Sequence, residues 1–546
     1  MRSIVKLLQN LPDVLGHWIA PNIRLFRTSR LHIVWLLALA AGVFVAIAAI
    51  AFRSAIGLLQ LPWLGTASEF VITAAESQPW WLILITPAIG GLIVGIWLQN
   101  FQEKQRAGGA ADVIEACALG GRGLGFRSGL SSAAITIISL GFGASAGREG
   151  PVVHLGATIG TSLCRAFSLP DLARRMLLAC GVASAISASF NAPIAGVLFA
   201  HEVILGHYAV SAFVPIVLSA SVAAVLSRQW FGESAAFVIP HYDITSYWEF
   251  PGFALLGLTC AAVAILFQFA LIGSDWTARN IQIPLWLRPV IGGLAVGAIA
   301  IYFPHVLGVG YEATDLALKQ QLPLLLLLML IVAKTAATAI TLASRFGGGI
   351  FSPSLYLGAM TGGAYGLIAA SAFPEFASSH GLYAILGMGG VAAAILGAPV
   401  STTMIVFELT GGYDLSIALL LVVSIAAGLT HAVHGKSFFH WQLSTRGIFL
   451  HEGNHDFLRT KTKVHEFMRD VPEDQDRSFN PGEDGSYLHT DSNLENALRS
   501  FDESGESQLP VVRKGDATQI VGIAHHVDAL RYFNSALVQE SKEAHL

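Results

Sequence analysis

The apolar positions come in long, nearly unbroken runs, not in the three-four spacing of amphipathic helices or the alternation of half-buried strands. The first run covers residues 31–52, long enough as a helix to cross ~30 Å of hydrocarbon. Others lie at about 80–98, 253–272, 286–303, 321–341 and 415–433, and each predicts a membrane span. Between them, apolar stretches at 130–144, 152–164 and 354–373 are shorter, or interrupted by glycine and proline. Non-helical backbone at membrane depth survives only when buried in protein or lining a wet cavity, so these interruptions predict a polar passage. After Gly447 the pattern changes. A helical start (VHEFMRDV), an acidic loop, a helix, β runs at Leu509–Val512 and Ile520–Ile523 and a last helix predict a small α/β domain.

Composition agrees with this division. The 546 residues are 54% apolar and 12% charged, about half the charge of a soluble chain, which excludes a soluble enzyme and a disordered scaffold. With 32 Lys+Arg against 36 Asp+Glu there is no basic excess to bind nucleic acid. Of these 68 charges, 28 fall in residues 451–546, so the tail is the soluble part. Arg2, Lys6, Arg24, Arg27 and Arg30 precede the first run, and no cleavable leader pattern is visible. Basic residues there place the N-terminus, and with it the terminal domain, in the cytoplasm, as expected for a multi-pass protein of the cell (plasma or inner) membrane. The expected layout is a cytoplasmic segment 1–30, a membrane domain 31–447, a linker 448–463, the small domain 464–537 and a tail 538–546. Cys117, Cys164, Cys180 and Cys260 all sit in apolar runs and read as core residues.

The membrane domain repeats itself. GVASAISASFNAPIAGVLFAHE (181–202) matches GVAAAILGAPVSTTMIVFE (390–408), with Pro193 on Pro399 and Glu202 on Glu408 at an offset of 206. The stretch holding Pro151 matches the one holding Pro353 at an offset of 202. Two halves of about 200 residues follow, whose relative direction the residues alone leave open.

The chemistry gathers at the second match. In Gly147-Arg148-Glu149-Gly150-Pro151, proline suits a first helical turn, and helix starts attract anions. Gly348-Gly349-Ile350-Phe351-Ser352-Pro353 repeats the construction. Two such starts, one from each half, would hold a dehydrated anion through partial charges, weakly enough for release. Glu149 is then a carboxylate in the anion's place, and so a gate or proton carrier; pairing with Arg148 or surface capping is the bland alternative. Glu202 and Glu408 read as acceptors for backbone groups near broken helices. His154, His201 and His207 with Glu202 lack metal-ligand spacing, so no metal and no cofactor is expected. Gly143-Ala-Ser145-Ala-Gly147 fits the serine-hydrolase elbow, but that motif needs a soluble strand before it. A hydrolase built on Ser145 is a distant alternative.

GREGP (147–151), FNAPIAGVLFAHE (190–202), GGIFSP (348–353) and GAP…VFELTG (397–411) together resemble the CLC family of chloride channels and chloride/proton antiporters. The resemblance spans roughly residues 30–447, and the tail resembles a CBS domain. It implies an all-α membrane domain of two inverted repeats of tilted, partly re-entrant helices, in a homodimer embedded in lipid with one pore per subunit. It also implies bound chloride, Glu149 as the gating glutamate, and Ile350 and Phe351 as backbone donors to the anion beside Arg148 and Gly150. Where the family commonly reads GSGIPE, this chain has Ala107-Gly108-Gly109-Ala110, so Gly108 replaces a serine. Phe439 stands where the family commonly has a tyrosine. Both hydroxyl donors are absent, which predicts weak, less selective binding of chloride and related anions such as nitrate and bromide. Val203 replaces the second glutamate found in many exchangers. A valine relays no proton, so a passive channel is expected; the alternative is exchange with the proton delivered by water, Glu202 or His201. Only one CBS-like copy is visible, and packing between copies is preferred to nucleotide sensing.

Overall fold

In hydrocarbon a chain must satisfy its own backbone hydrogen bonds, and the apolar runs do so as helices. The computed structural model describes residues 31–534 except 103, 119–122, 233–236, 238–241, 243, 376, 411–414, 449–461, 472–479, 481–484 and 514–515. The expected N-terminal segment 1–30, the C-terminal tail and nearly all of the linker lie outside the described residues. The chain divides into two compact units, one running to Leu205 and over Ala212–Phe439, the other holding Gly206–Ser211 and the chain from His440 on.

The first half carries α1 (Leu31–Leu64), α2 (Val71–Glu76), α3 (Trp80–Phe101), α4 (Ala110–Ala118) and α5 (Phe126–Gly141). It continues with α6 (Glu149–Ala166), α7 (Asp171–Phe190), α8 (Pro193–Phe199) and α9 (Val210–Phe231). The second half carries α10 (Phe250–Asn280), α11 (Arg288–Tyr302), α12 (Tyr311–Leu318), α13 (Leu324–Ala343) and α14 (Phe351–Ala372). It ends with α15 (His380–Leu396), α16 (Pro399–Thr410), α17 (Ser416–His434) and α18 (Phe438–Ser444). Among the described residues, seven helices are long and apolar enough to cross a membrane. Two of these, α7 and α9, are absent from the spans expected above. The stretch expected at 286–303 is α11, whose 15 residues reach only ~22 Å. The stretch expected to break at 354–373 is one continuous helix, α14.

The halves face each other across a local two-fold. Gly147 and Gly349 exchange both backbone hydrogen bonds, each 2.7 Å, as an antiparallel bridge. Glu202, in the π-helical turn Ala200–Leu205 that continues α8, accepts from the N–H groups of Val400 (3.0 Å) and Ser401 (2.7 Å) at the start of α16. Glu408, in α16, accepts from Ile194 (3.1 Å) and Ala195 (2.7 Å) at the start of α8. Each half therefore caps the other's broken helix, as a two-fold relation between the halves requires. Glycines allow the tightest crossings. A Cβ on Gly160 in α6 would lie 2.0 Å from the Leu177 carbonyl oxygen in α7, and one on Gly362 in α14 would lie 2.0 Å from that of Tyr383 in α15.

The second unit is a small α/β domain. β1 (Leu488–His489) runs parallel to β2 (Gln508–Arg513), and β2 pairs antiparallel with β3 (Asp516–His525). Asn493 caps α19 (Leu494–Ser504) by accepting from Asn496 N–H at 2.8 Å, and a last helix covers 526–534. The core collects Val464, Phe467, Leu494, Phe501, Leu509 and Val511. The helix expected from 464 is a single 3-10 turn, Val464–Glu466. Arg469 and Ile523 exchange backbone hydrogen bonds of 2.9 Å, and this pairing takes the groups a helix would use.

Candidate functional site

The antiparallel bridge sets the starts of α6 and α14 side by side. A Cβ on Gly150 would lie 3.5 Å from Gly349 Cα and 3.9 Å from the Ala110 nitrogen, so the start of α4 reaches the same place. Amides in a first turn have no partner within their own helix. Those of Glu149, Gly150, Phe351 and Ser352 therefore offer partial positive charge to one small volume. The Phe351 side chain is held away by Phe190 and Phe199, whose ring centroids lie 5.1 and 5.9 Å from its own. Ile350 is the residue preceding α14 and is buried like Phe351.

Glu149 is the first residue of α6 and is 1% exposed. Its Oε1 accepts from Ser352 Oγ at 2.5 Å and from the Tyr311 hydroxyl at 3.3 Å, while its buried Oε2 has no hydrogen-bond partner among the described residues. Arg148 is not its close partner: Arg148 Nε stands 3.9 Å from Oε1. The guanidinium instead binds Glu69 through Nη1, with Arg53 Nε also 2.9 Å from the same carboxylate, and lies 5.0 Å over the Tyr311 ring. Arg53, Glu69, Arg148, Asn191, Tyr311 and Glu312 border a cavity of about 630 Å³. Burial pushes the Glu69 carboxyl up, but Arg148 and Arg53 outweigh it and hold it below the ordinary carboxylate range. Glu312 anchors α12 by accepting from Ile72 N–H at 2.6 Å at the start of α2.

The residues expected at the first anion motif do not behave as an empty slot. A Cβ on Gly108 would meet His154 Nε2 at 2.5 Å, so the imidazole fills the space of a side chain there. Gly150 and His154 share one face of α6 at i and i+4, which turns both toward the start of α4. The amides of Gly108 and Gly109 are committed to Ser132 Oγ (2.9 Å) and Asp112 Oδ2 (3.0 Å), whereas a Cβ on Gly109 would face open space. Phe439, early in α18, is buried with its centroid 6.5 Å from that of Phe438. Glu202 spends both carboxylate oxygens on α16, His201 is 1% exposed and stacks on Phe213 at 6.2 Å, and Val203 lies between them and the end of the π turn.

The hydrolase alternative falls here. Ser145 is fully buried, follows the end of α5 and not a strand, and its hydroxyl faces Thr338 Oγ1 at 3.5 Å instead of a histidine. Tyr311 and Glu69 escaped the sequence reading, and His154 entered it only as a metal candidate that was set aside. Ser352 lay inside a quoted motif, without a role assigned to it.

The sequence profile of the voltage gated chloride channel family matches residues 90–431. A putative chloride channel protein, ClcB-like, of Ralstonia nicotianae is 34% identical over 398 residues, covering 72% of this chain and 92% of that relative. A slow cyanobacterial Cl−/H+ antiporter superposes with a TM-score of 0.67 at 22% identity, over 76% of this chain and 97% of its own. A eukaryotic CLC transporter superposes with a TM-score of 0.67 at 19% identity, over 92% of this chain and 98% of its own. These two structures establish the fold, and the profile, matching more than half of the chain, establishes the kinship. The protein is a multi-pass membrane anion transporter of the CLC family, not an enzyme.

Proposed function

We propose that the chain conducts chloride and related anions passively, through one pore in each subunit of a homodimer, with Glu149 as the gate. The observation that carries this is the Glu149 carboxylate itself. It is a buried anion at the first turn of α6, held by hydroxyls beside the start of α14, so a chloride drawn to these helix starts competes with it for the same place. Passive conduction, not exchange, is favoured by the inner side of the path. Glu202 is occupied in capping α16, and Val203 has no proton to pass. The N-terminus and the CBS-like domain belong to the cytoplasm on the positive-inside argument, and chloride is the ion expected at the helix starts.

The test is flux from chloride-loaded liposomes with chloride and proton electrodes read together. Conduction releases chloride without stoichiometric proton movement; uphill proton movement driven by a chloride gradient would establish exchange instead. Glu149→Gln keeps the shape of the gate and removes its charge, and flux should rise severalfold and lose its dependence on pH. Flux that still followed pH as in the wild type would remove Glu149 from the gate.

A further inference from the structure

Two hydroxyl donors are missing from the positions where the family resemblance led one to look, at Gly108 and Phe439. Two others are present elsewhere, and both point at the same oxygen. Ser352 Oγ and Tyr311 OH converge on Glu149 Oε1 at 2.5 and 3.3 Å. Ser352 is 3% exposed, in the first turn of α14; Tyr311 opens α12. We propose that these hydroxyls are the side-chain ligands of the transported anion. On this proposal they hold the carboxylate while the path is shut and a monatomic anion once the carboxylate has left. This rests on reading Glu149 as the gate.

Three observations support it. First, the carboxylate fits poorly: Oε1 has two hydroxyl donors, whereas Oε2 is buried with none among the described residues. A buried acceptor without a donor is costly. A single spherical ion at the Oε1 position keeps both donors and leaves no second oxygen stranded, so the pocket suits chloride better than its own gate. Second, Tyr311 is held where it is needed. Its preceding loop is clamped by fully buried Lys334, whose Nζ donates to the carbonyls of Val306 and Gly308, both at 3.0 Å. Its ring lies under the Arg148 guanidinium and packs on Phe237 at 5.6 Å. Third, Tyr311 and Arg148 both border the 630 Å³ cavity, so the residue that touches the gate also lies beside open space.

The experiment is chloride binding to purified full-length protein, by titration calorimetry, in a Glu149→Ala background that empties the pocket. Adding Ser352→Ala should weaken chloride binding about tenfold, the size expected for a hydrogen bond to a charged group. Tyr311→Phe, whose contact is longer, should weaken it about threefold. Ser352→Thr restores a hydroxyl and should bind like the background protein. Unchanged affinity after both deletions overturns the proposal; so does a Ser352→Thr protein as weak as Ser352→Ala, because packing would then be responsible. Should Ser352→Ala fail to fold, Tyr311→Phe decides alone. Failure of the gate reading is seen separately, as Glu149→Ala liposome flux no faster than wild type, while the affinity comparison still judges the hydroxyls.

Discussion

A glycine at 108 reads in the sequence as a lost ligand, yet in the fold it is a consequence of His154. The imidazole is 5% exposed, so it has no solvent to swing into if a Cβ arrives at 2.5 Å from Nε2. Restoring the family's residue by Gly108→Ser should therefore destabilise the protein by about 1–3 kcal/mol, the usual cost of overpacking. His154→Ala in the same chain should recover part of that loss, and thermal melts of the two single variants and the double variant in detergent measure the coupling. Equal, additive losses would show that residues 108 and 154 do not compete for space. Glu69 supports a second prediction at this scale. Its carboxyl is held below the ordinary range by Arg148 and Arg53, so the folded state binds its proton less readily than the unfolded one. The resulting stability is present above the unfolded value of about 4.3 and is lost as pH falls through the lower folded value. Glu69→Gln should lower the melting temperature by about 2 °C at pH 7 and leave a flatter decline toward pH 3 than the wild type shows. Parallel wild-type and variant curves would mean that the Arg148–Glu69–Arg53 cluster adds no stability.

Helices α14 and α15 show how a sequence signal can be seen and misread. The glycines of 354–373 suggest a broken span, but in the fold they are sites of contact on an unbroken helix. Neighbouring positions behave oppositely: a Cβ on Gly362 would lie 2.0 Å from the Tyr383 carbonyl, whereas on Gly363 the nearest atom is a Leu327 methyl at 3.5 Å. Gly362→Ala must separate two backbones and should cost about 3 kcal/mol or more. Gly363→Ala should be neutral or gain up to about 1 kcal/mol of helix propensity. Melting both in detergent checks the crossing; equal effects would refute it. Other features were legible or hidden for equally specific reasons. The offsets that join Pro193 to Pro399 and Glu202 to Glu408 were visible, and the mutual capping follows them residue for residue. Helix α7 was hidden because Arg174, Arg175 and its serines dilute its apolar character. Tyr311 was hidden because its contact with Glu149 spans 162 residues of sequence, and nothing local marks the tyrosine as special.

For the molecule as a whole, the two-fold repeat explains why the candidate site lies where it does. A two-fold that pairs Gly147 with Gly349 necessarily brings the next residues, Glu149 and Phe351, to the same centre from opposite halves. One half supplies the acid and the other the hydroxyl that holds it. The terminal domain follows a different logic, with a core of its own around Phe501, Leu509 and Val511 and, among the described residues, a three-stranded sheet. A domain of this size is marginal by itself, and packing against a second copy would bury more of its surface. The terminal domain is accordingly expected to pack against a second copy of itself instead of binding a nucleotide. Residues 462–534 expressed alone should then melt at a temperature that rises with protein concentration. Adding AMP, ADP or ATP should leave that melt unmoved. A nucleotide at a hundredfold excess over its Kd would add about 2.7 kcal/mol, which no melting experiment would miss. A nucleotide-dependent rise would assign the domain to sensing, and a melt indifferent to protein concentration would remove the packing role.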